Sequence, residues 1–447
     1  MGFGDWLELA FTVLGGLGIF LLGMKNMSEG MQAVAGDRLR KVIGAVTNNR
    51  FMACGIGALV TSVVQSSSVT TVMVVGMVNA SIMTLHQAIG VILGANIGTT
   101  VTAWILTLKI GKYGLPIIGV TALIFLFSKR ERLRYIAMAF LGLGMVFFGL
   151  ELMKNGFSPL GDLPEFREWF LRFSPDSYFG VIRTCLVGAL LTAIVQSSSA
   201  TIGITMGLAS QGLIDFPTAA ALVLGENIGT TITALLASIG STITARRAAY
   251  AHMLINVLGV LWITAIFSLY MTGVMIVLNH FDVYPEIMQI VDGEEAYPMS
   301  EKGIALTHTG FNVINAVIFL PLMGLITILL KRMVPDKNAW EKPHLSFLDV
   351  RMLDTPALGI QQSRNELLRM AENVKEMARQ LRKAIDTLKP DEERDKEIFH
   401  LEEVTDIQQK EVVEFLSDLL SGNVPHQVMD TGRGQMRMAD ELETIAD

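Results

Sequence analysis

Long apolar stretches alternate with short polar breaks along the first three-quarters of the chain. Stretches of membrane-spanning length lie at about residues 7–27, 51–80, 85–108, 114–128, 135–153, 179–210, 217–243, 248–279 and 304–330. Glycine, serine, threonine and asparagine interrupt several of them, which predicts broken or re-entrant helices within 51–108 and 179–243. The pattern therefore predicts an all-α fold that crosses a lipid bilayer several times.

The last quarter of the chain has a different pattern. Apolar residues recur there at helical spacing in two segments separated by Lys389-Pro390-Asp391, and a third segment follows 422–425. The first set is Leu367, Ala371, Val374, Ala378, Leu381, Ile385 and Leu388, and the second is Leu401, Val404, Val412, Phe415 and Leu419. We expect a transmembrane domain at 1–335, a linker at 336–357 and a soluble helical domain at 358–447, the last helix stopping at Asp447 as in an incomplete domain.

Two polar motifs occur twice in the apolar part of the chain. Gln-Ser-Ser-Ser stands at 65–68 and again at 196–199, and Gly-x-Asn-Ile-Gly-Thr-Thr stands at 94–100 and again at 225–231. Both motifs therefore repeat after 131 positions. Polar clusters are costly in a bilayer and usually mark a site. A duplicated cluster predicts a site at the interface of two repeats, repeat 1 at about 10–128 and repeat 2 at about 135–279, with extra helices to 330.

Basic loops predict how these repeats are oriented. Basic residues cluster at 37–50, 129–134, 246–247 and 331–332, whereas the 281–303 loop holds six acidic residues and one lysine. We expect the basic loops and the tail to be cytoplasmic and the acidic loop to be external. Gly23 aligns with Gly149 at an offset of 126, and their helices then cross in opposite senses. Such inverted repeats can present one site to either side of a membrane in turn.

Composition and charge agree with this division. Hydrophobic residues make up 51% of the chain and charged residues 17%. Residues 1–330 hold 18 basic and 18 acidic residues, so the net charge of −7 belongs to the tail. An acidic balance argues against nucleic acid as a partner. We expect Cys54 and Cys185 to be buried thiols, the first apolar helix to be retained rather than cleaved, and the chain not to be an enzyme.

The residue types of the two motifs predict an ion site. Hydroxyl groups both donate and accept hydrogen bonds, so the serines suit phosphate oxygens or a sodium ion. Asparagine and threonine in the second motif supply neutral oxygens that suit a hard cation. Neither motif contains lysine or arginine, so a divalent anion would need cations that travel with it. The competing interpretation is that these small polar residues only allow close helix packing.

Three further positions stand out in the apolar part of the chain. Glu226 is a carboxylate inside the second motif, where the first repeat has Ala95. It could ligate a cation, carry a proton, or lie solvated near an interface. His252 with Asn256, and His308 with Asn312, are spaced so that each pair shares one helix face. These pairs could line the pathway or form interhelical hydrogen bonds.

The paired motifs, at 65–68 with 94–100 and at 196–199 with 225–231, resemble those of the type II sodium–phosphate cotransporter family. The resemblance covers about residues 10–330 and implies a symporter that moves inorganic phosphate with sodium by alternating access. It implies phosphate ligands at Gln65, Ser66, Ser67, Gln196, Ser197 and Ser198. It implies sodium ligands at Ser68, Thr71, Asn96, Thr100, Ser199, Glu226, Asn227 and Thr231.

The tail, in particular Glu366 to Asn373, resembles the PhoU-like domain of bacterial members of that family. PhoU proteins bind metals through Glu-x-x-x-Asp patterns, and the pairs 402/406 and 443/447 have this spacing, as do many solvated helix faces. No metal other than sodium is expected.

The resemblance also implies a bacterial inner membrane as the location. A phosphate exporter and a membrane phosphate sensor are alternative functions, and arsenate and sulfate are alternative anions. A homodimer is one of the oligomeric states left open.

Overall fold

The computed structural model describes residues 3–44, 49–79, 83–108, 111–161, 174–239, 241–291, 294–335, 356–387, 391–421 and 424–447. Most of these residues are helical, so the expected all-α fold class is confirmed. The strands found within these ranges are β1 (Gln289–Val291) and β2 (Glu294–Ala296), which pair antiparallel in the acidic loop.

The described helices are numbered here in chain order. The apolar part of the chain contains α1 (Phe3–Gly44), α2 (Arg50–Val64), α3 (Ser67–Asn79), α4 (Leu85–Leu106), α5 (Gly114–Phe127), α6 (Glu131–Gly161), α7 (Tyr178–Val195), α8 (Ser198–Ser210), α9 (Phe216–Gly229), α10 (Thr231–Ala237), α11 (Ile243–Ala265), α12 (Phe267–His280), α13 (Ser300–Phe319) and α14 (Met323–Met333). The tail contains α15 (Pro356–Thr387), α16 (Glu392–Ser421) and α17 (His426–Ala446).

Six described segments are long and apolar enough to cross a membrane. They lie in α1, α4, α6, α7, α9–α10 and α11. Helices α13 and α14 form a further candidate that is bent by 86°. The chain is therefore a multi-pass membrane protein, as its hydrophobic pattern predicts.

Helices α1 and α6 pack closely through two matching rows of glycine, and we call them the scaffold pair. The rows are Gly16, Gly23 and Gly30 in α1 and Gly142, Gly149 and Gly156 in α6, each member of one row 126 positions from its counterpart. A Cβ atom on Gly23 would lie 2.8 Å from the carbonyl oxygen of Gly142, and one on Gly149 would lie 2.6 Å from that of Gly16. Gly149 is the counterpart of Gly23 and Gly16 is the counterpart of Gly142 at the offset of 126, so the two contacts are equivalent. Repeats related by a twofold axis require such paired contacts.

Helices α2 and α4 run parallel, and so do α7 and α9. The carbonyl oxygen of Cys54 lies against Gly94, and that of Ala58 lies against Gly98, so the residue numbers of the contacts increase in the same direction along both helices. The equivalent contacts in repeat 2 involve Cys185 with Gly225 and Ala189 with Gly229. Since α4 starts shortly after α3 ends, α3 must return to the end at which α2 began. The segments α2–α3 (hairpin 1) and α7–α8 (hairpin 2) are therefore re-entrant helical hairpins.

The two hairpins enter from opposite ends of the helix bundle. Asn79, at the base of hairpin 1, accepts a hydrogen bond from the backbone N–H of Thr242, close to the basic pair Arg246 and Arg247. The carbonyl of Ser210, at the base of hairpin 2, accepts one from the N–H of Tyr297 in the acidic loop. We call these the basic end and the acidic end of the bundle. The predicted broken helices and the inverted layout are both confirmed.

The tail forms a three-helix bundle with a core from all three helices. Leu367 and Met370 of α15, Phe415 and Leu416 of α16 and Val428 of α17 are buried together. Helix α17 has 21 residues and α15 has 32, so α17 covers only part of the α15–α16 pair.

The predicted apolar face of α15 is wrong over its second half. Leu381 is 55% exposed and Ile385 is 64% exposed, and Ala371 and Ala378 are also exposed. Leu388 and the break at 389–390 lie outside the described residues. The physical reason is that helical spacing marks a face but does not show how far a third helix extends along it.

Apolar residues of hairpin 1 share the buried core of the tail, and two further contacts lie at the basic end of the bundle. The backbone N–H of His426, where α17 begins, donates to Oε1 of Glu131 at 2.9 Å, and Glu131 begins α6. Gln362 of α15 lies against Gly76 of α3, because a Cβ atom on Gly76 would be 3.1 Å from Nε2 of Gln362. The tail thus contacts both the scaffold pair and hairpin 1. The proposed domain boundaries stay a prediction.

Candidate functional site

Both hairpins break at a glutamine in the left-handed helical conformation. Gln65 has φ 57° and Gln196 has φ 55°, a region that residues other than glycine adopt rarely. Each glutamine ends the first helix of its hairpin, and the second helix begins two positions later, at Ser67 or Ser198. The tips therefore place the N-termini of two half-helices inside the bundle, where their free N–H groups carry partial positive charge.

A small cavity lies between the two hairpin tips and helices α4, α9 and α13. Its lining residues are Ser67, Asn96, Thr99, Ser198, Glu226, Asn227, Thr230 and His308. The space that the centre of a water molecule can reach inside it is about 10 Å³. This is about the room that one water molecule needs.

Six of the eight lining residues form pairs related by the repeat. Ser67 corresponds to Ser198, Asn96 to Asn227 and Thr99 to Thr230, each at an offset of 131. The cavity is therefore built by equivalent residues of the two repeats, around their pseudo-twofold axis. Glu226 and His308 are the two lining residues outside these pairs.

The helices behind the tips present mainly hydrogen-bond acceptors. The hydroxyl of Thr99 donates to the carbonyl of Ala95 at 3.0 Å, and that of Thr230 donates to the carbonyl of Glu226 at 2.9 Å. The amide nitrogen of Asn96 donates to Oδ1 of Asn256 at 3.0 Å. Because these protons are already used, the oxygen atoms of the three side chains remain available as acceptors or cation ligands.

Glu226 and His308 form the asymmetric side of the cavity. Both side chains are buried, 0% and 1% exposed, and Oε1 of Glu226 lies 3.5 Å from Nε2 of His308. Neither carboxylate oxygen has a hydrogen-bond partner among the described residues. A buried carboxyl group without partners must be neutralised by a cation or a proton. The alternative of a solvated Glu226 near an interface does not fit this burial.

The two histidine–asparagine pairs divide between the expected roles. Asn256 accepts from Asn96 of α4, and Asn312 donates to Asn227 of α9 at 3.3 Å, so both asparagines form interhelical hydrogen bonds. His308 lines the cavity. His252 is buried, and neither of its ring nitrogens has a hydrogen-bond partner in the described part of the chain.

Two of the six predicted phosphate ligands line the cavity, namely Ser67 and Ser198. The side chain of Gln65 is buried and accepts a hydrogen bond from the Thr102 hydroxyl at 2.9 Å, whereas Gln196 is exposed. The hydroxyls of Ser66 and Ser197 accept from the backbone N–H groups of Val69 and Ala200, inside their own tips. These four residues lie at the tips but not in the cavity wall.

Three of the eight predicted sodium ligands line the cavity, namely Asn96, Glu226 and Asn227. The hydroxyls of Thr71 and Thr100 instead donate to carbonyls of their own helices, and that of Thr231 donates to the Ile228 carbonyl near the end of α9. Ser68 and Ser199 each directly follow a lining serine. Thr99, Thr230 and His308 line the cavity without having been predicted as ligands. The Thr-Thr pair in each motif was the available signal, but it does not show which threonine faces inward.

The tail brings three carboxylates together. Oxygen atoms of Glu402, Asp406 and Asp447 lie within 4.8 Å of one another, and Glu443 is not part of this group. Carboxylates at this separation suit a divalent cation, but exposed acidic groups are also common without one. The expectation of no metal other than sodium stays a prediction.

Comparisons with known proteins agree with the paired motifs. The Na+/Pi-cotransporter family model matches residues 19–155 and 166–280, more than half of the chain. YqeW of Bacillus subtilis is 31% identical over 74% of this chain and 99% of its own length. YjbB of Salmonella typhimurium, which is named for inorganic phosphate export, is 28% identical over 83% of this chain and 65% of its own length.

A shorter match involves a human protein. Sodium-dependent phosphate transport protein 2B of Homo sapiens is 39% identical over 98 residues, 22% of this chain and 14% of that protein. No solved structure matches the chain significantly. The family is one of transporters, which confirms that the chain is not an enzyme, whereas the PhoU-like assignment of the tail stays a prediction. On the family match and the near-complete coverage of YqeW, the chain belongs to the Na+/Pi-cotransporter family.

Proposed function

We propose that the protein carries inorganic phosphate across a membrane together with sodium, by alternating access at the cavity between the two hairpin tips. The observation that carries this proposal is the division of the cavity wall into two kinds of group. The hairpins contribute serine hydroxyls and half-helix N-termini, and the spanning helices contribute acceptor oxygens. An anion and a cation can therefore bind side by side.

Phosphate belongs on the hairpin side of this division. Ser67 and Ser198 begin α3 and α8, so their hydroxyls stand beside backbone N–H groups that point along each helix dipole. Gln65, Ser66, Gln196 and Ser197 complete the tips. We assign them to the entry and closure of the phosphate site rather than to its innermost contacts.

Sodium belongs on the side of α4 and α9. Asn96, Thr99 and Thr230 offer neutral oxygens there, and Glu226 offers a carboxylate. Hard cations prefer oxygen ligands of these kinds. A bound cation would also neutralise the buried Glu226 and offset the charge of phosphate, which no lysine or arginine in the cavity wall does. Ser68, Thr71, Thr100, Ser199 and Thr231 stay candidate ligands for other steps of the cycle.

The size of the cavity supports alternating access. Room for about one water molecule does not admit phosphate with its five heavy atoms, so the tips must separate for phosphate to enter or leave. The two tips belong to hairpins that enter from opposite ends of the bundle. Movement of one hairpin then opens the site towards one side only.

The direction of net transport depends on the gradients rather than on the site. YjbB is named for export and the human relative for sodium-dependent transport, so export is the second candidate function for this chain. We place the protein in a bacterial inner membrane with the tail in the cytoplasm, since the basic end carries the tail. A homodimer is compatible with this arrangement.

The test is uptake of labelled phosphate into proteoliposomes with and without an inward sodium gradient, using a potassium gradient as the control. We expect uptake that follows the sodium gradient and efflux when the gradient is reversed. Equal uptake under both gradients would remove sodium coupling from the proposal. Phosphate binding without any flux would favour the sensor, and inhibition by arsenate or sulfate would define the range of anions.

A further inference from the structure

The scaffold pair holds the two hairpins differently, although its helices are related by the repeat. Ser28 of α1 and Lys154 of α6 occupy equivalent positions, because the glycine rows fix the offset between these helices at 126. Val64 and Val195 are likewise equivalent at the hairpin offset of 131, and each precedes the tip glutamine. Inverted repeats with equal roles would make the same contact twice.

Hairpin 1 is fastened to the scaffold pair through Ser28. The Ser28 hydroxyl donates to the carbonyl of Val64 at 2.5 Å, and Gln32 donates to the same hydroxyl oxygen at 2.8 Å. This carbonyl lies in the last turn of α2, where the helix supplies no partner of its own. The adjoining Gln65 is 5% exposed.

Hairpin 2 lacks the corresponding attachment by Lys154. The ammonium group of Lys154 forms an ion pair with Glu301 in the first turn of α13. The Gln196 side chain, equivalent to the buried Gln65, is exposed. One tip is therefore covered and fastened, while the other is uncovered.

We propose that Ser28 and Lys154 are alternating latches, one for each hairpin, and that this structure has the Ser28 latch closed and the Lys154 latch open. In the opposite state the repeats exchange roles. Ser28 releases the Val64 carbonyl, and Lys154 leaves Glu301 and donates to the Val195 carbonyl. This inference rests on the alternating access proposed above and assigns its gating contacts.

The chemistry of the three groups fits such an exchange. Lys154 has a long, flexible side chain with three donor hydrogens, so it can serve a carboxylate in one state and a carbonyl in the other. Glu301 stands in the first turn of α13, where the helix dipole stabilises its charge after Lys154 departs. A permanent structural ion pair would need neither property.

Phosphate uptake by three variants distinguishes a latch from a structural ion pair. Lys154→Met removes the ion pair with Glu301 and also the donor for the Val195 carbonyl, whereas Glu301→Gln frees Lys154. The exchange Lys154→Glu with Glu301→Lys rebuilds the ion pair but leaves no donor at position 154. We expect the exchange to leave uptake at least about tenfold low, as expected for the loss of one hydrogen bond to a charged group. Recovery to the wild-type rate would overturn the proposal. The matched control is the same exchange at Lys25 and Glu29, a surface pair 3.7 Å apart, which should change little.

Labelling of Gln196→Cys by a hydrophilic maleimide gives a second readout that does not need transport. The native Cys54 and Cys185 are buried, so the introduced thiol should dominate. We expect Glu301→Gln to slow labelling, because freed Lys154 fastens hairpin 2 and covers its tip, and Lys154→Met to leave labelling fast. Equal labelling rates in the two variants would overturn the latch. Absence of sodium-driven uptake by the unmodified protein would count against the proposed function instead.

Discussion

Gln65 and Gln196 end their helices in the same left-handed conformation, with φ 57° and 55°, yet one side chain is buried and the other is exposed. The backbone of the two repeats is thus alike where the environment of their side chains is not. The shared left-handed backbone is a requirement of the fold at both tips, whereas the burial of one side chain belongs to this conformation of the transport cycle. This difference also allows the two contributions of each glutamine to be measured separately.

Replacing each tip glutamine by glycine and by alanine tests the backbone requirement. Glycine adopts a positive φ without steric cost, whereas alanine costs about 1–2 kcal/mol there. We expect Gln65→Gly to unfold at a higher temperature in detergent than Gln65→Ala, and both to lose phosphate uptake because the side chain is absent. Equal thermal stability of the two variants would show that the left-handed conformation is not imposed by the hairpin.

Removal of the innermost hydroxyls tests the phosphate site. Ser67→Ala and Ser198→Ala each delete one donor to a charged ligand, so the phosphate concentration for half-maximal uptake should rise about tenfold or more. Ser62→Ala is the control, because its hydroxyl donates to the Ala58 carbonyl on the same helix, away from the cavity wall. Normal uptake by both cavity variants would refute the assignment of the site.

Glu226→Gln tests the cation side of the cavity. The amide keeps the size of the carboxyl group but cannot neutralise a cation, so we expect the sodium concentration for half-maximal uptake to rise about tenfold or more. The measurement is phosphate uptake against sodium concentration at fixed phosphate. An unchanged sodium dependence would mean that Glu226 does not ligate the coupled ion.

The pseudo-symmetry of the cavity offers a stronger form of this test. Ala95 is the counterpart of Glu226 at the offset of 131. We expect Ala95→Glu combined with Glu226→Ala to recover part of the sodium dependence that Glu226→Ala alone loses. The added side chain enters a packed position and should cost about 1–3 kcal/mol of stability. No recovery in a folded protein would show that the carboxylate works only from repeat 2.

The glycine contacts behind the tips are expected to be essential for stability. A Cβ atom on Gly94 or Gly225 would overlap the carbonyl oxygen of Cys54 or Cys185, so Gly94→Ala and Gly225→Ala should each cost about 1–3 kcal/mol or more. The control is Gly55→Ala, since no heavy atom lies within 4 Å of a Cβ at that position. Thermal unfolding in detergent compares the three, and three equal melting temperatures would contradict the close packing.

The repeats, their inversion and the broken helices could be predicted because they depend on residue types at fixed spacing. Two copies of each motif at one offset, with all the basic loops on one side of the membrane, leave few other arrangements. The family follows from the same motifs. These features concern the order of elements along the chain, which sequence patterns record directly.

The composition of the cavity wall could be predicted only in part. Thr99 and Thr100 are adjacent, and their spacing from Asn96 puts both near it, so only packing against hairpin 1 decides which one faces inward. His308 is far from Glu226 in the sequence and meets it through the placement of α13. The exposed Leu381 and Ile385 show the same limit in the tail, because burial there depends on the length of α17.

The tail touches two parts of the molecule that alternating access would move relative to each other. The start of α17 is bound by Glu131 of the scaffold pair, and Gln362 of α15 rests on Gly76 of hairpin 1. A body held at two such points acts as a lever, since a small rotation of the hairpin swings the far end of α15 through a longer arc. Under the proposed alternating access, a change at the site between the hairpin tips would thereby change the orientation of the tail relative to the scaffold pair.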